Sequence, residues 1–63
     1  MAKAPTRVEI KKHMQSILEE WYDFRTGLYN ITAVAEETAW YFGEQDEFGD
    51  PPERYFEIAE EIT

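Results

Sequence analysis

There is no cysteine in this chain. That removes disulfides as a source of stability, and thiolate metal sites with them. A single histidine, His13, is too little for a nitrogen-rich zinc site. No apolar run reaches the roughly 18 residues of a membrane span, and the basic start MAKAPTRVEIKK is not followed by the apolar stretch of a secretory signal. The chain is therefore expected to be soluble and cytoplasmic, without contact to membranes, and there the sequon Asn30-Ile31-Thr32 stays unmodified. Basic residues are scarce: 6 Lys and Arg stand against 14 Asp and Glu, for a formal charge of −8. Phosphate contacts need clustered cations, so direct binding to DNA or RNA is not expected.

What the chain has in surplus is aromatic and acidic surface. With 63 residues it forms one domain, and a domain of that size buries only about 60% of the surface its unfolded chain exposes. With disulfides and metal set aside, association with a second copy or another protein is the remaining way to add burial. The charge is also uneven. Lys3, Arg7, Lys11 and Lys12 face only Glu9 in the first thirteen residues, whereas Arg25 and Arg54 face thirteen acids in the rest. Such a layout suits a basic partner.

Thr6-Arg7-Val8-Glu9 has the form of a capping box and predicts a helix start after Pro5. Ile10, Met14, Ile17, Trp21, Phe24 and Leu28 then follow at steps of four and three, which keeps them on one helical stripe. With Gly27 as its stop, the first helix is expected over about 6–26, near 30 Å long at 1.5 Å per residue. Asn30 is suited to cap a second helix over about 31–42, with Gly43 closing it. Asp50-Pro51-Pro52-Glu53 resembles an Asp cap with proline at the first helical position, for a third helix over about 51–62. Tyr55, Ile58, Ala59 and Ile62 would form its apolar face. No β-alternation longer than a few residues is present, nor any repeat. The expected fold is all-α: a small three-helix, up-down-up bundle with a long first helix and two shorter ones, associating as a dimer.

Trp40, Tyr41 and Phe42 are adjacent, and at 100° per residue they cannot share one face. If Phe42 joins Ile31, Val34, Ala35 and Thr38 on the inner side, Trp40 points outward between Glu36 and Glu37, and Tyr41 lies at the edge. Leu18, Tyr22 and Tyr29 form a weaker second stripe on the first helix. Trp40, Tyr22, Tyr29 and Tyr41 are thus the candidate interaction surface, against the plainer expectation that Trp40 lies under the acidic loop near Phe48. With the third helix parallel to the first, Glu57, Glu60 and Glu61 would gather beside Glu19, Glu20 and Asp23 as an acidic surface, whose plainest role is to keep the protein soluble. Lys11 and Lys12 would find Glu44, Asp46 and Glu47 nearby.

Catalytic and metal chemistries find little here. Glu9 and His13 stand one helical turn apart without a third ligand, and the Glu-x-x-His spacing of di-metal bundles is absent. EQDEFGDPPERY fails as a calcium loop, because with Gly49 at its sixth position Phe48 stands where an oxygen ligand is needed and Tyr55 where the bidentate Glu belongs. No phosphate loop or nucleophile motif occurs, and Ser16 is on the wrong side of its helix to work with His13. A recognition helix at PERYFEIAEEI would carry one Arg against four Glu into a field of phosphates. The sequence therefore points to a small acidic interaction or regulatory module without enzymatic activity, metal or cofactor, docking through exposed aromatics. The alternative is an acidic nucleic-acid mimic, as in a phage or mobile-element inhibitor, blocking a DNA- or RNA-binding protein.

Overall fold

The computed structural model describes residues 4–63, so Lys3 of the basic lead lies outside the described residues. Helix α1 runs Arg7–Ile17. Thr6 Oγ1 accepts from the Glu9 N–H at 3.2 Å, and the Glu9 carboxylate accepts from the Thr6 N–H at 3.1 Å, which completes the capping box. Ile10 and Met14 on its inner face are fully buried.

The first helix is much shorter than the 3–4 stripe implies. After Ile17 the chain tightens into one 3-10 turn, Leu18–Trp21, and then forms a two-stranded antiparallel hairpin, β1 (Tyr22–Asp23) and β2 (Leu28–Tyr29). Local chemistry explains the change. Residues 23–27 carry strong turn chemistry: Asp23 Oδ1 accepts from the Arg25 N–H at 2.8 Å, Thr26 Oγ1 accepts from the Leu28 N–H at 3.2 Å, and Gly27 adopts φ +72°. The register pairs Tyr22 with Tyr29 and Asp23 with Leu28, and the Asn30 N–H donates to the Trp21 carbonyl at 2.8 Å. That last bond ties the hairpin to the start of the next helix. The expected all-α fold with one long first helix is thus corrected: the chain is mostly helical with a small antiparallel sheet.

Helix α2, Ile31–Phe42, begins where Asn30 Oδ1 accepts from the Ala33 N–H at 3.1 Å. It ends at Gly43, φ +69°, where the Gly43 N–H donates to the Trp40 carbonyl and the Glu44 N–H to the Ala39 carbonyl. Val34, Ala35, Thr38 and Ala39 are buried, and the Thr38 hydroxyl donates to the Val34 carbonyl at 2.7 Å, so no polar group is stranded there.

Helix α3 spans Glu53–Ile62 and starts two residues later than the sequence pattern suggests. Asp50 is not its cap. Pro52 disfavours helical geometry in Pro51 before it, and Pro52 is itself extended, with ψ 151°, so the helix begins at Glu53. Asp50 instead bonds to Asp46 within the loop, its N–H donating to Asp46 Oδ1 at 2.9 Å.

One core holds the three helices together: Ile10 and Met14 of α1, Val34, Ala35 and Ala39 of α2, and Tyr55, Ile58 and Ala59 of α3. Trp21, Phe42, Phe56 and Ile62 pack partly against it. Each large side chain buried there contributes about 1.5–3 kcal/mol, so Ile58→Ala, which also leaves a cavity, would cost about 2–5 kcal/mol.

Candidate docking surface

The hairpin displays an aromatic cluster. Tyr22 and Tyr29, opposed in the register, have ring centroids 4.8 Å apart, and Tyr22 meets Phe24 nearly edge-on at 4.9 Å and 83°. Cross-strand aromatic pairs of this kind help hold a two-stranded sheet too small to persist alone. Yet Phe24 is 86% exposed and Leu28 66%. Both belong to the apolar stripe that periodicity assigns to the core. The hairpin turns them outward instead.

Beside the hairpin lies an open groove of about 470 Å³, lined chiefly by Glu20, Trp21, Tyr22, Asp23, Phe24 and Arg25. The Trp21 indole N–H donates to Glu37 Oε2 of α2 at 2.6 Å, which ties that ring to α2. Phe24 and Leu28 were not among the candidates legible from periodicity. Asp-x-x-Thr-Gly between two aromatic residues was the signal that could have revealed them, because it encodes a hairpin turn.

The second aromatic group belongs to the C-terminal half of α2. Trp40 is 67% exposed and Tyr41 61%. Tyr41 stacks on His13 of α1 at 4.0 Å and 18°, and Phe42 meets both rings edge-on. Trp40 has no ring partner among the described residues, and the acidic loop does not cover it. Of the four aromatic candidates, the fold brings Tyr22 and Tyr29 together and keeps Trp40 and Tyr41 in a separate place. No ring contact joins the two groups among the described residues.

The acidic candidates are dispersed. Glu19 and Glu20 stand on the 3-10 turn and Asp23 at the base of the hairpin turn, all exposed. Glu57, Glu60 and Glu61 lie on α3, where Glu61 pairs with Arg7 and with Lys11, the latter at 3.4 Å. These ion pairs bring the end of α3 to the beginning of α1. Glu61 is therefore held by the basic lead, away from Glu19, Glu20 and Asp23. Glu44 pairs with Arg54 and accepts the Tyr55 hydroxyl, rather than meeting Lys11 or Lys12. The hydrogen bond from Tyr55, helped by Arg54, holds the Glu44 carboxyl below its usual range. Burial, reinforced by the Glu44 charge, pushes the Tyr55 phenol well up.

Among the described residues no group of three or more His, Cys, Asp or Glu side chains is placed to hold a metal, and no helix is long and apolar enough to cross a membrane. Comparison with family models, with curated proteins and with solved structures finds no match for this chain.

Proposed function

We propose that this chain is a small protein-interaction module, without catalysis, that docks through exposed aromatic and aliphatic side chains. The observation that carries this reading is the outward position of Phe24 and Leu28 at the hairpin. Asp23, Thr26 and Gly27 meet the conformational needs of the turn, and the one ring contact of Phe24 is with Tyr22, so most of the apolar surface at positions 24 and 28 is left facing solvent in the isolated fold. Covering each in an interface would contribute about 1.5–3 kcal/mol. Exposed Trp40 and Tyr41 support a second contact area, since Trp and Tyr are frequent anchors at interface centres. The mimic reading gains less support, because Glu44 and Glu61 are engaged by Arg54, Arg7 and Lys11 rather than held out as a row of unpaired charge.

The test compares the native chain with Phe24→Ser/Leu28→Ser and with Trp40→Ser. Light scattering would give molar mass, and capture from the native host would give protein partners. The expected outcome is reduced self-association or reduced capture with helical circular dichroism unchanged. If both variants retain the molar mass and the partners of the native chain, the docking reading is abandoned.

A further inference from the structure

The groove beside the hairpin joins two kinds of side chain that recognise the same thing. Trp21, Tyr22 and Phe24 supply aromatic rings, while Glu20 and Asp23 supply negative charge. An aromatic face is electron-rich and attracts a cation within about 6 Å of its centroid. Tyr22 and Phe24 meet edge to face, and the largely exposed Phe24 leaves ring surface open to solvent on which a side chain can pack. Arg25 is the single cation lining the groove, and Glu19 adds a further carboxylate on the adjoining turn. The local balance is therefore negative, in a chain of net charge −8.

Chemistry narrows the occupant. An anion would be repelled by Glu20 and Asp23. A purely apolar side chain would strip water from those carboxylates and return nothing for it. A cationic side chain with an apolar stem satisfies both halves of the groove, with the stem against the rings and the head against the carboxylates.

We propose that this groove seats an arginine or lysine side chain presented by a basic segment of a partner protein, with arginine preferred. The preference follows from the guanidinium plane, which stacks on aromatic faces and forks onto a carboxylate. Asp23 Oδ1 accepts the Arg25 N–H, while Asp23 Oδ2 and both Glu20 carboxylate oxygens have no hydrogen bond among the described residues and are open to the incoming head group. This rests on the docking reading above and assigns that docking a partner chemistry. Charge complementarity also steers such a segment toward the chain before contact.

The test is a titration of the isotope-labelled chain, followed by amide NMR, with three nine-residue peptides that alternate glycine with arginine, with lysine or with glutamate. The expected result is saturable shifts concentrated in residues 20–25, tighter for the arginine peptide than for the lysine peptide and absent for the glutamate peptide. Phe24→Ala and Glu20→Gln should each weaken the arginine peptide by roughly two- to five-fold. Glu57→Gln, on α3, should leave its affinity unchanged. The proposal is overturned by the absence of saturable binding, by unchanged affinity in either groove variant, or by equal weakening in Glu57→Gln, which would mean diffuse charge attraction. Were the peptide to fail while Phe24→Ser/Leu28→Ser still abolished association, only the cation assignment would fall. Binding of the peptide with association indifferent to that pair would instead remove the broader docking reading and leave the groove.

Discussion

The phenol of Tyr55 donates to Oε1 of Glu44 at 2.6 Å, and Arg54 pairs with the same oxygen. Glu44 directly follows the close of α2 and Tyr55 lies on the first turn of α3, so one carboxylate clamps the loop between them. The phenol ring is fully buried, whereas the carboxylate is about one-fifth exposed. Tyr55→Phe keeps the ring in the core and removes only this bond. It should destabilise the fold by about 1–2 kcal/mol. In a chain of this size that lowers the melting temperature by about 4–8 °C per kcal/mol, which a thermal circular-dichroism scan reads directly. An unchanged midpoint would show the clamp to be energetically idle.

The same pair sets the pH response. Glu44 binds its proton less tightly folded than unfolded, so its contribution is complete above its ordinary value of 4.5 and is lost as pH falls through the lowered folded value. Tyr55 behaves oppositely: its folded pKa is raised, so its contribution is complete below its ordinary value of 10.0 and is lost as pH rises beyond that. Denaturant titrations across pH should therefore show the native advantage over Glu44→Gln shrinking below about pH 4.5. Tyr55→Phe should flatten the alkaline decline. Parallel curves for native and variant chains at both extremes would contradict these assignments.

The two tryptophans should report different environments. Trp21 is half-buried with its N–H on Glu37, while Trp40 is 67% exposed. In Trp21→Phe the remaining emission should be quenched by acrylamide almost as readily as free indole. In Trp40→Phe it should be several-fold more resistant. Equal quenching in the two variants would mean that the outer face of α2 is covered.

Gly43 and Gly27 hold left-handed backbone, at φ +69° and +72°. A Cβ on Gly43 would meet nothing within 4 Å, and one on Gly27 only the Tyr22 hydroxyl at 3.8 Å, so backbone strain alone decides the cost. Gly43→Ala and Gly27→Ala should each lose about 1 kcal/mol, and Gly27→Asn less, because Asn tolerates this region. Urea midpoints at constant slope would measure all three.

The Arg7–Glu61–Lys11 cluster should matter little. Its side chains are 41–56% exposed, and exposed pairs contribute about 0.2–1 kcal/mol, screened by salt. Glu61→Gln should shift the urea midpoint slightly at low ionic strength and not at all in molar salt. A large, salt-independent loss would indicate a structural role beyond charge.

Some features of this fold were legible residue by residue. Thr6 and Glu9 cap α1, Asn30 and Gly43 bound α2, and Tyr55, Ile58 and Ala59 bury one face of α3, all as their local patterns imply. Those signals work because a cap or a helical face is satisfied by groups within four residues. The outward position of Trp40 was legible too, since it follows from helical geometry once Phe42 faces inward.

The hairpin was not legible from periodicity. Ile10, Met14, Ile17, Trp21, Phe24 and Leu28 keep helical spacing throughout, but spacing carries no information about whether a partner surface exists to receive the stripe. With α2 of 12 residues and α3 of 10, a helix continued to residue 26 would have run past both. In the fold, the turn chemistry of Asp23, Thr26 and Gly27 takes over instead and sends Phe24 and Leu28 to the surface. The partner of Glu61 was likewise decided only in three dimensions, because pairing it with Arg7 and Lys11 requires α3 to bring its end to the start of α1, a relation between residues some fifty positions apart. Sequence by itself determined the start of the first helix, both ends of the second, the buried faces and the excess of negative charge, each set by neighbours along the chain. Only the tertiary structure decided that Phe24 and Leu28 face outward and which carboxylates are paired across the chain, because each depends on surface that distant segments do or do not provide.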